Sequence, residues 1–331
     1  MDFTEFIDLA AERLGGSVLY ANDDFFAPKE NLLKASVPVF IDGKYTERGK
    51  WMDGWESARR RTPGFDWCLI RLGLPGRIRG VVVDTSFFRG NYPEQCSLEA
   101  CAVEGVPGLE NLLSDETTWT EILSPSQLQG DSQNPFPVTV EGRFTHLRLR
   151  IYPDGGVARL RVYGEVAPDW ERLKRAGEFD LAAVESGGMV IASSDMFFGH
   201  RHNLIMPGRG IDMGDGWETR RRRGPGHDWA VVRLGARGRL HRVEVDTAHF
   251  KGNFPESCSL EAFDAGGEEF DNAAFASLPW REVLPRTRLQ AHTRHFYEEE
   301  LKESGTMTHV RFNIYPDGGV SRLRIYGQLG G

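Results

Sequence analysis

The densest group of side chains able to do chemistry is DGWESARRRTPGFDW at 53–67, which returns as DGWETRRRRGPGHDW at 215–229. In it Asp53, Glu56, Arg59, Arg60 and Arg61 are matched by Asp215, Glu218, Arg221, Arg222 and Arg223. Guanidinium groups are planar forks that grip a carboxylate through two hydrogen bonds. Arg59, Arg60, Arg221 and Arg222 are therefore candidates to hold an anionic substrate, with Asp53 and Asp215 beside them. Glu56 and Glu218 are candidate proton carriers. A solvated charge run, or Arg–Asp pairs that hold a loop, would leave the same pattern, because duplication copies structural residues too.

A second group, VDTSFFRGNYPE at 83–94, returns as VDTAHFKGNFPE at 245–256. It follows a strand of valines, where a loop is held rigidly by the sheet beneath it. Asp84 and Asp246 could accept protons there, and Asn91 and Asn253 could recognise amides. Asx-turn capping is the competing reading. The histidines are lopsided: His146 is the single one in the first repeat, and the other eight lie in the second. His227 stands where the first repeat has Phe65, and His249 where it has Phe87. Imidazole suits proton transfer near neutral pH, so the second repeat is expected to carry acid–base chemistry through His227 and His249.

Other chemistries lack support. There is no phosphate-cradling glycine loop, dinucleotide fingerprint, nucleophile elbow or zinc-protease motif. His200 and His202 could present two imidazoles to one side, but no third ligand follows at a recognisable spacing. No metal site is assigned and no cofactor is called for, although carboxylates in these loops could hold a divalent ion.

The elements that must position these residues are strands. In THLRLRI at 145–151, Leu147, Leu149 and Ile151 alternate with His146, Arg148 and Arg150. Turn signals at Pro75–Gly76, Gly105, Gly130 and Asp154–Gly155–Gly156 divide such stretches. IYPDGGVARLRVYG at 151–164 returns as IYPDGGVSRLRIYG at 314–327, so the chain is a duplicated domain. The repeats are placed at 1–165 and 179–331, with a connector whose short helix starts at Pro168 and stops at Gly177. Phe3, Phe6, Ile7, Ala10 and Leu14 follow helical spacing after Asp2 and before Gly15–Gly16, and DLAA…GG returns at 180–188, which predicts a short N-terminal helix for each repeat. The first repeat has an insertion at 34–52, read as a surface hairpin or a flap over a site. The fold class expected is all-β: two tandem antiparallel sandwiches.

Composition narrows the class of protein. Forty Lys and Arg against forty-eight Asp and Glu give a net charge of −8, which argues against a nucleic-acid backbone as partner. No run approaches the roughly 18 apolar residues of a membrane span, and the acidic start is unlike a signal peptide. Cys68, Cys96, Cys101 and Cys258 form no C-x-x-C pair, so buried reduced thiols are expected in preference to disulfides or zinc. A cytoplasmic enzyme or binding protein remains, for which self-association is plausible.

MDGWESARRRTPGFDW, VDTSFFRGNYPE, SDMFFG followed by NLI, GDGWETRRRRGPGHDW and IYPDGGVSRLRIYG together resemble the allantoicase family. The resemblance covers nearly the whole chain, with both repeats in order. It implies a pair of jelly-roll β-sandwiches of the discoidin-like, galactose-binding-like kind. It further implies hydrolysis of allantoate to ureidoglycolate and urea, in purine or allantoin catabolism. Allantoate carries one carboxylate and two neutral ureido groups on a single carbon. A site for it needs a cation, amide partners, an acid and a base, all present in the two loop groups. The competing class is a non-catalytic ligand-binding protein made of two such modules.

Overall fold

The computed structural model describes residues 2–266, 275, 278–303 and 305–330. Its contacts divide the chain into two compact units, Met1–Ala167 and Pro168–Gly331. Each is built on one 19-residue strand, Asp66–Asp84 in the first and Asp228–Asp246 in the second. The first half of Asp66–Asp84 pairs with Ser17–Ala21 and Phe144–Tyr152. The latter strand leads on to Gln95–Cys101 and Thr120–Gln127. The second half pairs with Arg159–Val166 and Gln133–Pro137. All these pairings are antiparallel, and Asp228–Asp246 has the equivalent partners. One strand thus turns the corner between the two layers of a jelly-roll sandwich.

Pro75–Gly76 does not break the strand as its turn chemistry predicts; the strand runs through it. The ladder to Phe144–Tyr152 skips register there, from Arg71 to Gly76, so no regular bond requires the proline N–H. Gly76 is needed at this bend. A Cβ on it would lie 2.4 Å from the Glu165 carbonyl oxygen.

The two N-terminal helices also resolve differently: the second repeat opens on a two-residue strand, Phe179–Asp180, and a 3-10 turn, Val184–Ser186, and the first repeat is built alike. Two 3-10 turns, Phe3–Glu5 and Glu12–Leu14, flank a two-residue strand at Ile7–Asp8. The end signals are used: Asp2 caps the first turn through the Thr4 amide, and Gly15 closes the second at φ 95°. Between them Ile7, Leu9 and Ala10 are all buried. Three buried side chains within four residues exceed one helical stripe. The Asp8 carboxylate instead stitches the segment to the sheet edge by accepting from the Ala10 and Val162 amides. The connector does hold the expected helix, Trp170–Ala176, capped by Asp169 and followed by Gly177 at φ 75°.

Leu147, Leu149 and Ile151 are fully buried, while Arg148 and Arg150 both reach Glu99 on the neighbouring strand. The 34–52 insertion forms a small hairpin, Tyr45–Thr46 against Gly49–Lys50. All four cysteines are buried and free. Among the described residues no helix is long and apolar enough to cross a membrane.

Candidate functional site

The site forms at one end of each sandwich, where three motif segments meet. In the second unit Trp217–Glu218 pairs with Gly319–Val320, which sets the DGWE segment against the PDGG turn. The Gly319 amide donates to the Asn253 carbonyl at 2.8 Å, bringing in the G-N loop. That approach requires glycine: Gly318 lies at φ 133°, and a Cβ there would be 2.6 Å from the same carbonyl oxygen. The Glu218 carboxylate then accepts from the Asn253 side-chain amide. Asp317 of the turn accepts from the Arg222 backbone amide at 2.7 Å, which fixes the arginine run.

The result is a cleft of about 890 Å³. Its lining includes Glu218, Arg221, Arg222, Asn253, Glu256 and Arg288. Arg222 is committed to Asp228. Arg221 is exposed, and among the described residues its guanidinium has no carboxylate partner.

The first unit repeats the constellation. Glu56 accepts from the Asn91 amide at 2.7 Å, Asn91 O from the Gly156 amide at 2.7 Å, and Asp154 from the Arg60 amide at 2.9 Å. Arg60 reaches Asp66 at 2.7 Å, as Arg222 reaches Asp228. Arg59, like Arg221, is exposed. Burial pushes the Glu56 carboxyl above the usual range, and the Asn91 hydrogen bond only partly opposes it. A glutamate displaced toward neutral pH suits an acid–base role.

The remaining candidates stand elsewhere. Asp53 and Asp215 are salt-bridged, each at 2.7 Å, to the buried Arg159 and Arg322. Asp84 and Asp246 turn back on their own loops, accepting from the Ser86 and Ala248 amides at 2.8 and 2.9 Å. Asp246 is fully buried and also meets Arg209 at 3.0 Å. His227 lies on the Tyr315 ring, with Nε2 3.2 Å from Asn313 Oδ1. His249 Nε2 meets the Gly210 carbonyl at 2.8 Å. Neither imidazole lines the cleft. Among the described residues no group of three His, Cys, Asp or Glu is placed to hold a metal ion. His200 Nδ1 accepts from the His202 amide and caps a 3-10 turn.

Arg288 and Glu256 line the cleft yet escaped the sequence reading. Glu256 was readable as the last residue of the repeated V-D-T…P-E motif. Arg288 lies on Arg281–Arg288, a strand whose sequence differs from its counterpart Thr120–Gln127, and only strand register reveals it.

Fold and cleft define a duplicated β-sandwich protein whose second unit carries an open cleft lined by arginine, glutamate and asparagine side chains. The allantoicase repeat family model matches residues 7–167 and 179–330. "Probable allantoicase" of Photobacterium profundum is 49% identical over 99% of this chain and 98% of its own length. That of Pseudomonas aeruginosa is 51% identical over 98% and 96%. The crystal structure of allantoicase from Saccharomyces cerevisiae superposes with a TM-score of 0.82 at 36% identity, covering 97% of this chain and 92% of that one. The chain belongs to the allantoicase family.

Proposed function

We propose that this protein hydrolyses allantoate to ureidoglycolate and urea, and that the second unit's cleft is where the C–N bond breaks. The observation that carries the site is the Glu218–Asn253 pair beside the uncommitted Arg221 guanidinium, in a cleft large enough for the substrate. Membership of the family supports the reaction.

Arg221 takes the substrate carboxylate through a charge-assisted pair. Asn253 fixes one oxygen of Glu218 and leaves the other to face substrate. The ureido nitrogen that stays on the carbon gives its proton to the free oxygen of Glu218 and, with the electron pair so released, expels the other ureido group, so that the proton Glu218 then hands on is the one it has just taken. Glu218 supplies the proton that the departing urea nitrogen takes. Water then adds to the resulting C=N carbon, with one proton passing back to the retained nitrogen through Glu218. Atoms balance: allantoate and water become urea and ureidoglycolate. The first unit's Glu56, Asn91, Arg59 and Arg60 form the equivalent set. The four free, buried cysteines support a reducing compartment such as the cytoplasm.

Glu218→Gln keeps the Asn253 contact available but removes the titrating group. Urea release should fall by roughly 10²–10⁴-fold with the fold intact. Wild-type protein that binds allantoate but releases no urea would favour the binding-module reading instead.

A further inference from the structure

We propose that Arg288 makes the second unit's cleft selective for a carboxylate, clamping that group together with Arg221. The inference rests on the substrate reading above and names the residue that sets its charge preference.

Strand register places the residue. In the second unit Ser257 pairs with Arg288 and Cys258 with Thr287. In the first, Gln95 pairs with Gln127 and Cys96 with Ser126. Arg288 and Gln127 therefore occupy the same rung of the same ladder, one cationic and one neutral. Two residues earlier the pattern repeats, with Arg286 where the first unit has Pro125. Arg286 is bound to Glu256 at 3.0 Å and to Ser257 Oγ at 2.7 Å, so it neutralises a carboxylate of the cleft wall. Arg222 is spent on Asp228. Arg288 is exposed, lines the cleft and, among the described residues, meets no carboxylate. It and Arg221 are thus the two cations of the cleft that no carboxylate meets among the described residues.

The ureido groups of substrate and the released urea are neutral and chemically alike. The carboxylate is the one group that separates them, so the residue that holds it decides what the cleft retains. Because its charge is the same before and during C–N cleavage, this contact should act on binding and leave the chemical step alone.

Arg288→Gln copies the residue that the first unit carries at this rung, and folding should survive. In urea-release kinetics KM for allantoate should rise about 10–100-fold with kcat within a few-fold of wild type. Arg288→Lys should recover part of the loss. Calorimetric binding of N-carbamoylglycine against its neutral primary amide tests the clamp without turnover. Wild type should prefer the acid, and Arg288→Gln should lose that preference. An unchanged preference in the variant, or none in the wild type, overturns the assignment. A lost preference in a protein that releases no urea would keep Arg288 as a carboxylate clamp and overturn the hydrolytic reading alone.

Discussion

Every nitrogen of the Arg159 guanidinium is used inside the protein. Nη2 meets Asp53 Oδ2 at 2.7 Å, Nε the Ser36 carbonyl at 3.0 Å, and Nη1 the Asp53 and Ala158 carbonyls. Burial would raise the Asp53 carboxyl, but the Arg159 hydrogen bond, the Val39 amide and the charges of Arg159 and Lys34 hold it below the ordinary carboxylate range. Breaking such a pair leaves a buried charge uncompensated. Asp53→Ala should cost about 3–5 kcal/mol, seen as a marked drop in melting temperature, while the kinetics of the folded fraction stay near wild type. Unchanged melting with a raised KM would restore Asp53 to the substrate. The histidines are held by contacts of a similar structural kind. His249 and Phe87 share a left-handed backbone, at φ 71° and 69°, and His227 packs on Tyr315 as Phe65 packs on Tyr152. The double variant His227→Phe with His249→Phe should therefore melt slightly lower, by about 1 kcal/mol for each lost hydrogen bond, and keep kcat within a few-fold. A loss beyond a hundredfold would return the acid–base role to an imidazole.

The PDGG turn ties together the three segments of the candidate site. It pairs with Glu218, accepts the Arg222 amide and donates to Asn253. Gly319 also leaves room for the fully buried Phe250, whose ring a Cβ there would meet at 1.9 Å. Gly319→Ala cannot be relieved by moving a surface side chain. It should cost upward of about 1–3 kcal/mol and, by shifting Asn253, lower kcat as well. Wild-type melting and turnover in that variant would show that the turn does not control the site. This element also shows what was readable before the fold was known. The repeated motifs marked all three segments that converge, because residues contacting each other across the site recur in both halves. Helical spacing at 3–14 misled, since the sandwich edge buries consecutive residues that a helix would place on different faces. Pro75–Gly76 misled because its turn chemistry serves a corner inside one strand. Phe-to-His exchange suggested catalysis, but His227 packs on Tyr315 as Phe65 packs on Tyr152, and His249 keeps the left-handed backbone of Phe87 while its ring meets different neighbours. Arg288 had no motif, and its significance comes from the ladder.

At the scale of the whole molecule, both units staple their first strand to their last through a largely buried aspartate. Asp180 accepts from the Ala182 and Ile325 amides at 3.0 and 2.8 Å and lies 3.6 Å from Arg324. Asp8 does the same with Ala10, Val162 and, at 3.7 Å, Arg161. Burial outweighs these partners in both: it pushes Asp180 up to about 6 and raises Asp8 in the same direction. A carboxyl whose folded-state pKa lies above its unfolded one binds its proton more readily when folded. Its contribution to stability is full below about pH 4 and is lost as pH rises through about 6. Asp53 and Asp195, held below the ordinary range, work the other way: their stabilisation is present above the unfolded carboxylate pKa and lost on acidification. Asp8→Asn with Asp180→Asn retains an oxygen for the backbone amides and removes only the titration. Relative to wild type, the double variant should gain stability between pH 4 and pH 6, on the order of 1–3 kcal/mol from Asp180 and in the same direction from Asp8. Denaturant midpoints measured across that range should show the variant gaining on wild type as pH rises, the difference levelling off above about pH 6. Parallel curves would mean that neither aspartate titrates there, and that the strand staples are ionised throughout.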